Sequence, residues 1–122
     1  MHIEIKEVKK LSMLTDKITP KFRLWLQYDN ELVFGKEGVE ILEAIEKYGS
    51  VSEATKNTSY SYRFVWNYLE RIKEKIGASA IEGHRGGSKG GGGAKLTEIG
   101  KTLIMEYKRY EELLKIAVDT GG

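Results

Sequence analysis

The stretch RGGSKGGGGAKLT, from Arg85 to Thr97, sets six glycines among Arg85, Lys89 and Lys95. Glycine lets backbone amides approach a ligand closely, although it loses the most backbone freedom on ordering. Cationic side chains threaded through such a loop suit an anionic ligand. Two chemistries compete: a phosphate-cradling loop of a nucleotide enzyme, and a basic loop laid against nucleic acid. The first lacks its neighbours. A Walker-type loop needs Gly-Lys-Ser/Thr opening a helix after a buried parallel strand, whereas Lys89 follows Ser88 and Lys95 follows Ala94. A dinucleotide fingerprint needs a helix next and an acid ~20 residues on, within a β-α-β unit. Here the loop runs into the strand-like Ala94-Lys95-Leu96. A flexible loop that binds nothing is the plain alternative.

A second set of chemically capable residues lies just upstream, in SYSYRFVWNYLERIKEKIG. At ~100° per residue, Tyr62, Val65, Trp66, Leu69, Ile72 and Ile76 fall on one side of a helix, the expected core side. Tyr60, Arg63, Phe64, Asn67 and Arg71 fall on the other. Arg63 can donate two hydrogen bonds to guanine, Asn67 can pair with adenine, and Phe64 can touch a thymine methyl. Ser59 and Ser61 stand at the helix start, where hydroxyls and free amides bind phosphate oxygen. Each has a plainer role: a serine as helix cap, Trp66 as core, Arg71 as partner of Glu70 or Glu74. Phe64, an outward aromatic, asks for a contact partner in DNA or in protein.

Composition narrows the classes. The chain has 122 residues, no cysteine and two histidines. Thiolate zinc sites, disulfides and cysteine nucleophiles are excluded, and a multi-histidine metal site has too few ligands. No nucleophile and base stand out together, so neither catalytic residues nor cofactors are expected. No apolar run approaches the ~20 residues of a membrane span. The N-terminus has no apolar block of a signal peptide, and cytoplasmic residence is the default. The net charge of +2 is modest but unevenly placed. Asp29 to Thr55 carries seven acids against Lys36 and Lys47; Lys56 to Lys95 carries eight Lys and Arg against Glu70, Glu74 and Glu82. One basic block in a nearly neutral chain is a candidate electrostatic face.

The elements that would position these residues can be read in order. Alternation at Phe22, Leu24, Leu26 and Tyr28, followed by Asp29-Asn30, predicts a β-hairpin. A three-residue loop is favoured, because it sets Leu32 and Phe34 on the face of Leu26 and Tyr28. A helix bearing Ile41, Leu42, Ile45 and Tyr48 ends at Gly49. Ser50 and Glu53 have capping-box spacing for a short second helix, and a third ends at Gly77. Two short helices around a tight turn are the layout of a helix-turn-helix. A second hairpin holds the glycine loop, and Thr97 caps a long last helix to about Val118. The first twenty residues read equally as extended or helical.

The last helix carries Ile99, Leu103, Tyr107, Tyr110 and Leu114 at steps of four and three. That stripe is too long for a core already covered by three short helices and two hairpins, so a second copy is expected to cover it. The division expected is an arm over 1–21, a winged helix-turn-helix over 22–96, and a dimerisation helix with its tail over 97–122. The fold class is α+β.

Laid out this way, the sequence from about Phe22 to Ala117 resembles the N-terminal DNA-binding domain of the ModE family of molybdate-responsive transcriptional regulators. GSVSEA is similar to the family's Gly-Ser-Ile-Ser stretch, and SYRFVWNYL to its Ser-Tyr-Lys/Arg-x-Ala-Trp segment. GGSKGGGGAKLTEIG resembles the family wing, Gly-Gly-Lys-Gly-Gly-Gly-Gly-Ala-x-Leu-Thr. Val65 stands where alanine is usual, and Ser88 is an extra residue. The resemblance implies a winged helix that binds double-stranded DNA as a homodimer, as repressor or activator. Family members hold the oxyanion in domains after the long helix. The chain stops at Gly122, so molybdate binding is not expected of it. The alternative from another class is a winged-helix module that docks a protein through Phe64.

Overall fold

The computed structural model describes residues 4–84 and 92–120, with only the backbone of His84. Helix α1 (Ile5–Lys17) leads into strands β1 (Trp25–Tyr28) and β2 (Glu31–Gly35), then helices α2 (Lys36–Tyr48), α3 (Val51–Lys56) and α4 (Tyr62–Ile76). Strands β3 (Ile81–His84) and β4 (Gly93–Leu96) and helix α5 (Glu98–Thr120) complete the order. Each strand pair is an antiparallel two-stranded sheet. The fold is α+β: helices, a helical turn motif, a wing-like hairpin and a long last helix.

Local chemistry sets the helix limits. Gly49 and Gly77 end α2 and α4 in the left-handed region, φ 79° and 86°, where a side chain would be strained. The Ser50 hydroxyl accepts from Glu53 N at 3.0 Å and starts α3. The Ser61 hydroxyl accepts from Phe64 N at 3.0 Å and starts α4. Thr97 does the same for α5, accepting from Gly100 N at 3.2 Å. These caps satisfy amides that the helices leave unpaired.

The first hairpin departs from expectation. Its turn is the two residues Asp29 and Asn30, both with positive φ, joining Tyr28 to Glu31. That geometry matches the twist of paired strands better than a longer loop. The register then shifts: Gln27 faces Leu32 and Leu26 faces Phe34, leaving Val33 as the extra residue of a bulge. The bulge, not a three-residue loop, brings Leu26 opposite Phe34. Val33 and Phe34 are both buried as a result.

The core gathers Phe34, Ile41, Leu42, Ile45, Val65 and Ile72, with the face of α5 at Leu103, Ile104 and Tyr107 laid over it. Phe34 meets Tyr68 and Tyr107 edge-on, each 6.3 Å between ring centres. Helix α1 resolves the open reading of the N-terminus as helical, and it buries none of its residues. No helix among the described residues is long and apolar enough to cross a membrane.

Candidate nucleic-acid interface

Helix α4 is held by Val65, Tyr68, Leu69 and Ile72, which turn inward. The Tyr68 hydroxyl accepts a hydrogen bond from the buried Gly35 N at 2.8 Å, tying α4 to the first hairpin. Burial pushes the Tyr68 phenol up, against the opposing pull of the Gly35 amide and of Arg71. Lys75 adds an ion pair to Glu31 at 2.7 Å. This anchoring rotates the helix relative to the expected stripe. Tyr62 and Trp66, read as core, are exposed and meet edge-on with ring centres 6.1 Å apart. Tyr68 takes the buried place instead. Both misplaced rings lie on the margin of the stripe, 60–100° from Val65 on a helical wheel of about 100° per residue, where periodicity decides least.

The exposed side of α4 presents Arg63 and Asn67, with Trp66 beside them. Ser59 is exposed in the turn before the helix, and Ser61 is its cap. Tyr60 and Phe64 do not extend freely. Their rings stack at 5.0 Å, Phe64 leans on Tyr68 at 6.0 Å, and the Tyr60 hydroxyl donates to Glu40 at 2.7 Å. Partial burial and the Glu40 carboxylate hold the Tyr60 phenol well above its ordinary range. Arg71 stands apart from Arg63 and Asn67. Its guanidinium lies over the Tyr68 ring at 4.5 Å, turned toward the first hairpin, and it pairs with neither Glu70 nor Glu74 among the described ion pairs.

The base of the second hairpin is fixed to the helical motif. Ala94 N donates to Gly49 O at 2.8 Å, in the turn between α2 and α3. Thr97 N donates to Ala80 O at 3.0 Å, and the Thr97 hydroxyl to Ser79 O at 2.7 Å. Ala94 and Leu96 point inward, while Lys95 points out and lies 3.5 Å from Glu82 across the strands. Arg85 and Lys89 lie outside the described residues. No group of three His, Cys, Asp or Glu among the described residues could hold a metal ion.

The stripe on α5 divides in two. Leu103 packs on the core, Tyr107 is buried against Phe34, and Ile99 is half-buried. The core therefore accommodates the first half of the stripe, contrary to expectation, because α5 lies along α2. Tyr110 and Leu114 are exposed, as are Leu113 and Ile116, which lie off that stripe.

A helix-turn-helix followed by an anchored two-stranded hairpin defines the winged-helix class. Within that class the homologues are ModE regulators and a molybdenum-pterin-binding protein, at 28–36% identity, and the chain is similar to the N-terminal part of these proteins. It is 36% identical over 77 residues to the molybdenum-pterin-binding protein MopB of Rhodobacter capsulatus, 63% of this chain and 28% of that protein. It is 31% identical over 88 residues to the transcriptional regulator ModE of Haemophilus influenzae, 72% of this chain and 34% of the relative. The dual regulator ModE of Escherichia coli K12 matches at 30% over 96 residues, 79% of this chain and 36% of the relative. The chain thus spans about a third of the length of these relatives. It matches no protein-family model.

Proposed function

We propose that this chain is a sequence-specific DNA-binding transcriptional regulator that acts as a homodimer and catalyses no reaction. One observation carries the reading: Arg63 and Asn67 stand exposed on the helix that follows the turn, in a winged helix related to ModE regulators. Helix α4 enters the major groove, where Arg63 reads guanine and Asn67 reads adenine. Ser59 and Ser61 meet phosphate at the helix start. Arg85, Lys89 and Lys95 bind backbone or minor groove beside it. Tyr60, Phe64 and Arg71 contribute through the position of α4, being engaged with Glu40 and Tyr68. The protein-docking alternative loses its main support, since Phe64 finds its contacts in Tyr60 and Tyr68.

The dimer forms through the exposed end of α5, at Tyr110 and Leu114. Ile99, Leu103 and Tyr107 shape that helix from the core side. Substitution of Leu103 and Tyr107 would damage the fold, so the dimer is tested by Tyr110→Glu with Leu114→Glu. A folded monomer with weak specific binding is expected, and an unchanged mass by light scattering would reject this interface.

Selection of genomic fragments by the purified chain tests the whole reading. Two half-sites about 10 base pairs apart are expected in the enriched fragments. Arg63→Ala should relax one base position per half-site and cost about 1–3 kcal/mol there. Enrichment of no sequence would sink specific recognition, and an unchanged ratio of specific to random binding in Arg63→Ala would remove Arg63 from base readout.

A further inference from the structure

A groove of about 910 Å³ opens between the first hairpin, α4 and the second half of α5, and the reading above gives it no task. Small-molecule pockets reach this size, and the walls here mix apolar rings with charged side chains. Five rings line it: Phe22, Trp25, Phe64, Tyr68 and Tyr107. The charged groups on its walls are four cations, Arg23, Lys36, Arg71 and Lys115, against Glu37 and Glu111. Lys115 is already matched by Glu111 at 3.7 Å. The rest of the groove keeps a positive excess.

Arg71 is its unsatisfied member. The Nε atom is shut off from water and has no hydrogen-bond partner among the described residues. No described carboxylate pairs with the guanidinium, which rests instead on the face of Tyr68 at 4.5 Å. The buried Nε fixes the guanidinium plane, and the terminal nitrogens of an arginine fork match a carboxylate bidentately. Aromatic walls around that fork favour a flat apolar body attached to the charge. A bare inorganic anion would leave those walls uncovered.

We propose that this groove binds a small aromatic carboxylate, with Arg71 holding the carboxylate and the rings of Trp25, Phe64 and Tyr107 enclosing the body. The site goes beyond DNA recognition, and it shares Phe64 and Arg71 with the packing that positions α4. It is built from the recognition helix and the last helix together, so its ligand touches both.

Calorimetry on the full chain, without DNA, tests the site with benzoate and indole-3-carboxylate as probes. Benzamide and inorganic phosphate are the controls. Saturable binding of the carboxylates is expected, about tenfold or more tighter than benzamide, as a lost charge-assisted hydrogen bond implies. Arg71→Gln and Arg71→Lys should each lose about the same factor, the second because it keeps the charge without the fork. Arg63→Ala should bind as the parent does. Trp25 lines the groove and Trp66 does not, so quenching of emission should persist in Trp66→Phe and vanish in Trp25→Phe. Absence of binding by both carboxylates, equal binding of benzamide, or full affinity in folded Arg71→Lys overturns the proposal. Binding that occurs only as the protein dissociates into monomers assigns the groove to a second copy and overturns it as well.

Discussion

The two hairpins are built from similar lengths of strand and serve opposite ends. The first is closed by two residues, bulged at Val33, and pressed into the core through Val33 and Phe34. It is further fastened to α4 by the Gly35–Tyr68 hydrogen bond and the Lys75–Glu31 pair. The second has a regular register from Ile81↔Leu96 to His84↔Gly93; Thr97 closes its base on Ala80 and Ser79, and Ala94 ties β4 to Gly49. One hairpin is a buttress behind α4. The other is tied to the turn between α2 and α3 and lays Ala94 and Leu96 on the core. The comparison teaches that what a hairpin is anchored to, rather than its strand pairing, sets its place in the fold.

Removing the buttress is the strongest way to break this contrast. Phe34→Ala should cost about 3–5 kcal/mol, because the ring is fully buried between Tyr68 and Tyr107. Urea unfolding measures it, and a loss below 1 kcal/mol would mean that the first hairpin is not core. Tyr68→Phe is milder: it leaves the buried Gly35 N–H without an acceptor, about 1–3 kcal/mol.

The same tyrosine gives a pH signature. Its phenol titrates above the ordinary value of 10.0 in the folded chain, chiefly through burial. The unfolded chain thus releases this proton first as pH rises. The stabilisation is complete below about pH 10 and is lost as pH climbs through the folded value. Tyr68→Phe should flatten the fall in stability above pH 10; an equally steep fall in the variant would assign the effect to other groups.

The smallest effect belongs to the second hairpin. Lys95→Ala removes an exposed pair with Glu82 and should change stability by less than about 1 kcal/mol. Binding to all DNA sequences should weaken about equally, with a shallower dependence on salt. A large loss of stability with unchanged DNA affinity would reverse the roles of the two hairpins.

The legible parts of the fold were those with local causes. Ser50, Ser61 and Thr97 announce helix starts, and Gly49 and Gly77 announce stops, because capping and left-handed backbone depend on a few neighbours. The exposed Arg63 and Asn67 followed from helical period alone. Less legible were features set at a distance. The bulge at Val33 depends on which residues of β2 the core accepts, and the exchange of Trp66 for Tyr68 depends on a hydroxyl meeting Gly35. Arg71 was equally hidden, since its turn toward the first hairpin comes from the Tyr68 face 4.5 Å away. The division of the α5 stripe required knowing that α5 lies along α2.

The length of α5 carries a last consequence. Its 23 residues rise about 1.5 Å each, close to 34 Å in all, the pitch of one turn of B-DNA. Thr97 fastens the start of that helix to the root of the wing, so a proposed pair of copies joined near Leu114 would carry their reading heads at the ends of a stiff rod. Such a rod measures phase as well as distance. One residue inserted between Met105 and Tyr110 would turn each head by about 100° about its helix and shift it by only about 1.5 Å. The operator would then be missed because the two heads face different sides of the double helix.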